Sequence, residues 1–168
     1  MAFQLHDAIT QAQTQFGLTL KPEQYSAVVS YSRGYDTVLL APTGFGKSLI
    51  FQIAPLVYQH AREIMPTFAP KPDLDTDHQF NHDLFLVLMP LTALTADAAS
   101  KVDTIHRGSF SALQLNMASV KSASAATFLF SSPEFLMDGS GRKLLEDHHT
   151  CQRVRAVFVD EMHIVQTW

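Results

Sequence analysis

The chain has 168 residues, of which 46% are hydrophobic and 17% charged, and its formal net charge is −4. This composition is that of a globular domain, and it excludes a disordered, collagen-like or bare coiled-coil chain. No apolar run reaches the ~18 to 20 residues that span a bilayer, and the N-terminus lacks the features of a secretion signal. With Cys151 as its single cysteine, the sequence excludes an internal disulfide framework and fits a reducing, intracellular compartment.

The acidic charge is concentrated in one segment. Residues 71–83 contain four aspartates and one lysine, and the rest of the chain holds 11 basic and 12 acidic residues. Because this remainder is nearly neutral, its charge neither requires nor excludes a surface for nucleic acid. Residues 65–82 carry three prolines and no apolar period, which predicts an exposed acidic and proline-rich loop.

Apolar spacing and proline–glycine signals predict the elements that precede this loop: helices over 4–16 and 22–33, a strand over 36–41 and a helix that begins at Lys47. Gly17 and Gly34 are expected to end the first two helices, and Pro22 fits the first turn of the second. Pro55 is expected to kink the last helix.

Strands and helices alternate in the rest of the chain, where the pattern predicts strands over 84–89, 112–116, 126–131 and 154–159 and helices over 91–106 and 133–147. Pro90 should stop the first of these strands, and the glycines at 139 and 141 should break the last helix. Because uninterrupted apolar strands alternate with helices, we predict an α/β fold with a parallel sheet covered by helices on both faces.

A candidate phosphate site lies between the strand over 36–41 and the helix from Lys47. Residues 41–48, A-P-T-G-F-G-K-S, match the P-loop pattern except for Ala41, where the strict form has glycine. Gly44 and Gly46 would let successive N–H groups point at phosphate oxygens, and Lys47 would place its ammonium on the β- and γ-phosphates. The predicted nucleotide-binding residues are therefore Thr43, Gly44, Phe45, Gly46, Lys47 and Ser48.

A pair of carboxylates follows the last predicted strand. Asp160 would stand at the carboxyl end of that strand, where α/β sheets bind their ligands, and would hold Mg²⁺ together with the Ser48 hydroxyl. Glu161 is placed to orient or deprotonate an attacking water. We expect the glycine turn and this acid pair to meet around one triphosphate, with Lys47, Asp160 and Glu161 in catalytic roles.

The sequence Asp160-Glu161-Met162-His163 is similar to the D-E-x-H box of superfamily 2 helicases. The run after it, which ends at Trp168, resembles the corresponding stretch of RecQ-type DNA helicases. Met162 departs from the usual alanine. By this resemblance, His163 would couple the γ-phosphate site to the elements that bind DNA.

Three further segments resemble motifs of the same family. The first, Lys21-Pro22-Glu23-Gln24, is similar to the adenine-reading motif, in which Gln24 would bond the base and Lys21 stands where the family has arginine. The second and third, residues 87–97 and 130–136, resemble motifs that line the DNA path. The DNA contacts that the resemblance implies are Pro90, Leu91, Thr92, Ser132, Pro133, Glu134 and Trp168.

The resemblance implies a RecA-like, P-loop ATPase lobe that uses ATP and Mg²⁺ to unwind DNA with 3′-to-5′ polarity, in the nucleus if the source is eukaryotic. In this family a further Ser-Ala-Thr strand and a second RecA-like lobe with an arginine finger follow the D-E-x-H box. Since neither follows here, we expect residues 1–168 to be a partial domain, incomplete at its C-terminus and unstable or inactive alone. Two alternatives stay open: an inactive fragment that binds nucleotide or a partner, and a lobe of an RNA-directed superfamily 2 helicase.

Three potential metal ligands also occur close together, at His148, His149 and Cys151. One short cluster without a second pair of ligands favours a solvated helix end over a metal site. Cys151 is expected to be structural.

Overall fold

The computed structural model describes residues 2–65, 67–68, 83–89, 98–102 and 109–160. The chain divides into two compact units, residues 1–70 and 71–168. The described part of the first unit is helical, whereas the second contains a four-stranded sheet with helices. The predicted α/β class is therefore confirmed.

The helices of the first unit, within its described residues, are α1 (Ala2–Phe16), α2 (Pro22–Ser32), α3 (Ser48–Gln52) and α4 (Ala54–Ile64). Helix α1 packs against α4, and α2 packs against α3. The buried side chains of α1 recur at helical spacing: Leu5, Ala8, Ile9 and Ala12. As predicted, the chain turns at Gly17 and Gly34 after the first two helices, and both glycines have positive φ.

The helix expected from Lys47 is divided in two. Helix α3 ends at Gln52, Ile53 is a turn, and α4 begins at Ala54 with Pro55 in its first turn. The first turn of a helix tolerates proline because its N–H groups have no acceptor within the helix. The helix is therefore interrupted near Pro55, as a break at Ile53 rather than as the predicted kink at the proline.

The sheet of the second unit contains β1 (Leu84–Leu88), β2 (Ala112–Gln114), β3 (Phe128–Ser131) and β4 (Val154–Val159). Its strand order is β2-β3-β1-β4, and every neighbouring pair is parallel. The predicted parallel sheet is confirmed, although β2 is two residues shorter than predicted. Strands β1 and β3 lie in the middle of the sheet, which explains their continuous apolar sequences.

The two faces of the central strands carry different side chains. Phe85, Phe128 and Phe130 are completely buried, and the ring centroids of Phe85 and Phe128 on neighbouring strands are 5.8 Å apart. The alternate positions of the same strands carry leucines, among them Leu86 and Leu129, which belong to a second buried cluster. Each strand thus contributes to two apolar layers because successive side chains point to opposite faces.

The helices described in the second unit are α5 (98–102), a 3₁₀ helix (Val120–Ala125), α6 (Pro133–Met137), α7 (Gly139–Glu146) and α8 (His148–Arg153). The break predicted at the glycines lies instead at Asp138, whose carboxylate accepts a hydrogen bond from the N–H of Gly139 and begins α7. Asp147 begins α8 in the same way by accepting from Thr150. Helix α8 was not predicted.

The strand predicted over 36–41 is not formed. These residues have no regular secondary structure, and the side chains of Val38 and Leu40 are 65% and 91% exposed. A strand needs a neighbour to pair its N–H and C=O groups, and the described part of residues 1–70 contains no second strand. The segment that leads into the glycine turn is therefore irregular and exposed.

The loop predicted over 65–82 is described at residues 65, 67 and 68 only. Met65 is buried, and the ring of Phe68 meets the ring of Tyr58 on α4 edge to face at 5.2 Å. The start of this segment is thus packed on the first unit rather than exposed throughout. Most of the predicted loop, and most of the helix predicted over 91–106, lie outside the described residues.

Candidate nucleotide site

The turn at residues 41–48 is shaped by two glycines. Gly44 and Gly46 have φ of 80° and 89°, a region that residues with a side chain rarely adopt. The N–H of Phe45 donates to the carbonyl of Pro42 at 3.2 Å, which closes the turn between them. The sequence pattern therefore folds into a compact glycine turn, and the described residues before it form no strand.

Lys47 and Ser48 follow this turn, at the start of α3. The ammonium of Lys47 donates to the carbonyl oxygens of Ala41 at 3.0 Å and Pro42 at 3.2 Å, so it lies against the loop itself. Ser48 is the first residue of α3 and is exposed. The loop thus places a cation and a hydroxyl side by side, which is the pair that a phosphate group and its Mg²⁺ require.

Gln24 on α2 contacts the same loop. Its Nε2 donates to the carbonyl oxygens of Phe45 at 3.1 Å and Gly46 at 3.0 Å. Its Oε1 accepts from the backbone N–H of Lys21 at 2.8 Å, which caps the start of α2. The side chain is 1% exposed, so the structure brings Gln24 to the candidate nucleotide site with its amide already bonded to protein.

Lys21 meets the loop at the same residue. Its ammonium donates to the carbonyl of Phe45 at 3.1 Å and lies 4.5 Å from the centroid of the Phe45 ring. A cation over an aromatic face is attracted by the negative charge density of the ring. The resemblance to the adenine-reading motif pointed to Lys21 and Gln24, but their contacts with Phe45 were not foreseen, since no residue pattern indicates them.

Asp160 follows β4 directly, as predicted. Its N–H donates to the carbonyl of Leu88 at the end of β1 at 2.9 Å, which fixes its backbone to the central strand. The residue is half-buried at the carboxyl end of the parallel sheet, where α/β proteins bind ligands. Glu161 and His163 lie outside the described residues.

The predicted meeting of Lys47 and Asp160 around one triphosphate concerns both units. The glycine turn belongs to residues 1–70, and Asp160 belongs to residues 71–168. Because the two residues belong to different units, their meeting at one nucleotide stays a prediction. Lys47 follows the glycine turn in the first unit, and Asp160 follows β4 in the second.

Among the predicted nucleic-acid contacts, the structure describes Ser132, Pro133 and Glu134. The hydroxyl of Ser132 accepts from the N–H of Phe135 at 3.3 Å and so caps α6, in which Pro133 is the first residue and Glu134 is exposed. The motif thus forms a capped helix directly after β3. The remaining predicted contacts lie outside the described residues: Pro90, Leu91, Thr92 and Trp168.

A buried ionic group that the sequence reasoning missed joins the starts of β1 and β4. Asp83, which was counted with the acidic segment, accepts from Nε of Arg155 at 2.7 Å, and both side chains are nearly buried. Arg153, 3% exposed, donates to the carbonyl of Ala126 at 2.8 Å. Burial lowers the pKa of Arg153 from its ordinary value, and the charge of Asp83 opposes this shift.

Nothing in the described residues forms a group of three or more histidine, cysteine or acidic side chains that could hold a metal ion. The ring of His149 lies edge-on to that of His148 at 6.2 Å, and Cys151 is exposed on α8. Of the helices the structure describes, none has the length and apolar character needed to cross a membrane.

A family model described as DEAD/DEAH box helicase matches residues 21–168, which include the glycine turn, Gln24 and the acid pair. No curated protein matches the chain. The family match covers most of the chain and begins at the lysine that caps α2.

Proposed function

Because the chain belongs to the DEAD/DEAH box helicase family, we propose that it is the ATP-binding lobe of a RecQ-like, 3′-to-5′ DNA helicase. Membership of this family implies a superfamily 2 helicase lobe that binds ATP and acts on nucleic acid. The choice of DNA and the RecQ-like subfamily rest on the resemblance of residues 160–168 and 21–24. The observation that carries the ATP-binding role is the turn at 41–48 with the ammonium of Lys47 against it.

Binding of a triphosphate would use the loop in a defined way. Positive φ at Gly44 and Gly46 curls the backbone so that its N–H groups can converge on phosphate oxygens. The ammonium of Lys47 would exchange a carbonyl acceptor for a phosphate oxygen, which is the stronger partner because it is charged. Thr43 and Phe45 complete the loop.

Mg²⁺ would be held by the hydroxyl of Ser48 and the carboxylate of Asp160, because magnesium prefers oxygen ligands. When bound, the ion would neutralise charge on the transferred phosphate. Asp160 is suited to this role because the hydrogen bond of its N–H to Leu88 holds its backbone in place. In the proposal Glu161 activates water and His163 relays the state of the nucleotide to the DNA-binding segments.

The proposed helicase also needs a second RecA-like lobe, which would close on the nucleotide and supply an arginine finger. Ser132, Pro133 and Glu134 support a nucleic-acid contact because they lie where a strand passes into a capped helix. In the proposal they act with Pro90, Leu91, Thr92 and Trp168 on one DNA strand.

The ATP site is tested by titrating the chain with a fluorescent ATP analogue. The Lys47→Ala variant should bind at least about tenfold more weakly, because it loses a charge-assisted contact with phosphate. Lys143→Ala removes an exposed lysine of α7 and should leave the affinity unchanged. Equal affinity of the Lys47→Ala variant and the unaltered chain would contradict the proposed site.

The nucleic-acid partner is tested on a protein that carries a second RecA-like lobe. We expect single-stranded DNA to stimulate ATP hydrolysis more than RNA of equal length, and duplexes with a 3′ tail to be opened in preference to those with a 5′ tail. Stimulation by RNA alone would assign the chain to an RNA-directed helicase. Binding of ATP without hydrolysis or strand separation would indicate a nucleotide-binding module.

A further inference from the structure

We propose that the hydroxyl groups of Tyr31 and Ser32, at the end of α2, bind one water molecule in the interior of the first unit, and that Tyr31 with this water positions α3 behind the glycine turn. The water site depends only on the buried side chains around it. The positioning of α3 rests on the proposed function, because it assigns a support to the nucleotide site.

Ser32 carries the first step. It is the last residue of α2, it is 6% exposed, and its Oγ has no hydrogen-bond partner among the described residues. A hydroxyl inside a helix can donate to the carbonyl four residues earlier, as Thr14 does to Thr10 on α1 at 2.9 Å, but Ser32 makes no such bond. Because an unsatisfied buried hydroxyl is costly, native proteins pair it with protein or with an ordered water.

The neighbouring phenol of Tyr31 supplies a second polar group. Burial raises the pKa of Tyr31 well above its ordinary value, Tyr58 of α4 raises it further, and the hydroxyl of Ser32 lowers it. Ser32 has this effect because its hydroxyl lies close to the phenol oxygen, although the two are not in hydrogen-bond geometry. Two buried hydroxyls that are near each other without a direct bond are suitable partners for a bridging water.

The same phenol contacts α3. The hydroxyl of Tyr31 donates to the carbonyl of Ile50 at 3.4 Å, which is long for a bond between a hydroxyl and a carbonyl. Ile50 lies in the last turn of α3, where carbonyls have no donor within the helix. A phenol has one proton, so a water that donates to the phenol oxygen leaves that proton directed at Ile50. Tyr31 thereby joins the end of α2 to the end of α3.

The length of α3 explains why this support matters. The helix contains only five residues and begins at Ser48, directly after Lys47. The turn at Ile53 separates it from α4, and Pro55 has no N–H with which to continue its hydrogen-bond pattern. So short a helix is stabilised mainly by packing, and α2 packs against it. A shift of α3 would therefore move the lysine and the serine that the proposed site uses.

The sign of a stability change tests the water site. If Ser32 has no partner, Ser32→Ala removes an unsatisfied buried hydroxyl and should raise the urea midpoint of unfolding. If Ser32 holds the water, the same change removes a hydrogen bond, and we expect the midpoint to fall. Ser26→Ala removes an exposed hydroxyl from the same helix and measures the gain in helix propensity alone. A midpoint for Ser32→Ala at or above that of Ser26→Ala would overturn the water site.

A crystal structure of the chain tests the same site directly. We expect an ordered water within hydrogen-bond distance of both the Ser32 Oγ and the Tyr31 hydroxyl. A direct hydrogen bond between the two hydroxyls, with no water, would overturn the inference. Tyr31→Phe and Ser32→Ala should also lower the urea midpoint together by less than the sum of their separate effects, because both lose the same water. Additive effects would contradict a shared water.

The positioning of α3 is tested by the affinity for inorganic tripolyphosphate. We expect Tyr31→Phe to bind it about threefold more weakly, because the ring stays and only the hydrogen bonds of the hydroxyl are lost. Tyr25→Phe makes the same change on α2 to a hydroxyl that bonds His6 instead, and it should leave the affinity unchanged. Ile9→Val, at a buried site of α1, lowers stability without touching α3 and should also leave the affinity unchanged. Equal affinities for Tyr31→Phe and these controls would overturn the positioning role.

Lys47→Ala separates this inference from the proposed function. If Lys47→Ala loses tripolyphosphate binding while Tyr31→Phe binds as the unaltered chain does, the nucleotide site stands and the positioning role fails. If Lys47→Ala binds tripolyphosphate normally, the proposed function fails and the positioning role fails with it. The water site is then still decided by the urea midpoint of Ser32→Ala, which does not depend on any nucleotide.

Discussion

Two apolar runs of similar length have opposite surroundings in this chain. Residues 84–88 form β1, a central strand with its side chains buried on both faces, whereas residues 36–41 are irregular and largely exposed. Both runs contain the residue types that favour strands. The difference is that β1 has a parallel neighbour on each side, and 36–41 has none among the described residues of its own unit.

The comparison teaches that an apolar run specifies a strand only together with its pairing partners. A central parallel strand satisfies its N–H and C=O groups through two ladders, and its side chains fill two apolar layers. The same residue types without a paired strand gain neither these backbone hydrogen bonds nor this burial of side chains. Three predictions test whether residues with buried or hydrogen-bonded partners contribute more to stability than exposed ones, beginning with the largest effect.

Truncation of a buried ring should separate the two regions most clearly. Phe128→Ala removes a fully buried side chain of β3 and should lower the free energy of unfolding by about 3–5 kcal/mol. Leu40→Ala removes a side chain that is 91% exposed and should change it by less than about 0.5 kcal/mol. Urea unfolding followed by circular dichroism measures both, and similar costs would show that 36–41 is packed as well as the sheet.

Replacement of the buried Arg153 should lower the free energy of unfolding by less than Phe128→Ala does, but still by a large amount. Arg153→Met leaves the Ala126 carbonyl without its donor and removes a cation near Asp83, so we expect a cost of about 3 kcal/mol. The exposed pair of Arg142 and Glu146 is the control, because Arg142→Met should cost about 0.5 kcal/mol or less. Equal urea midpoints for the two variants would contradict a structural role for Arg153.

The smallest effect concerns the cap of α8 and depends on pH. Hydrogen bonds from the N–H and hydroxyl of Thr150 lower the pKa of Asp147 below its ordinary value. The carboxylate therefore stabilises the fold above about pH 4, and this contribution is lost as the pH falls through the lowered pKa.

Asp147→Ala should accordingly cost about 1 kcal/mol at pH 7 and less in acid. Urea midpoints at neutral and acidic pH measure the difference. Asp7→Ala, at an exposed position inside α1 where the side chain caps no helix, is the control and should change the midpoint at pH 7 by less than Asp147→Ala does. A cost of Asp147→Ala that stays constant down to acidic pH would contradict the role of the charged cap.

Sequence reasoning found the features that depend on local pattern. Strands were predicted over 84–89, 126–131 and 154–159 because apolar runs that alternate with helices indicate parallel strands, and they form at 84–88, 128–131 and 154–159. The glycine turn was predicted from its spacing. Asp138 and Asp147 carried a usable signal, since aspartate is a preferred residue before the first turn of a helix. That signal would have placed the starts of α7 and α8.

The remaining features depend on partners that the local sequence does not name. A glutamine amide can bond a base or a backbone carbonyl, and the choice made by Gln24 follows from the fold around it. Asp83 was grouped with neighbouring aspartates, but its partner Arg155 is 72 residues away. Likewise, nothing within 36–41 states whether another strand will pair with it.

Because Gly46 has no Cβ, the residue types that this position can accept are restricted. Any larger residue there would collide with the Gln24 amide and would also have to adopt an unfavourable positive φ. A substitution at position 46 would therefore also displace the Gln24 amide, which contacts the turn from 22 residues earlier in the sequence. Even with a shorter side chain at position 24, a residue with a Cβ at position 46 would still have to adopt this positive φ.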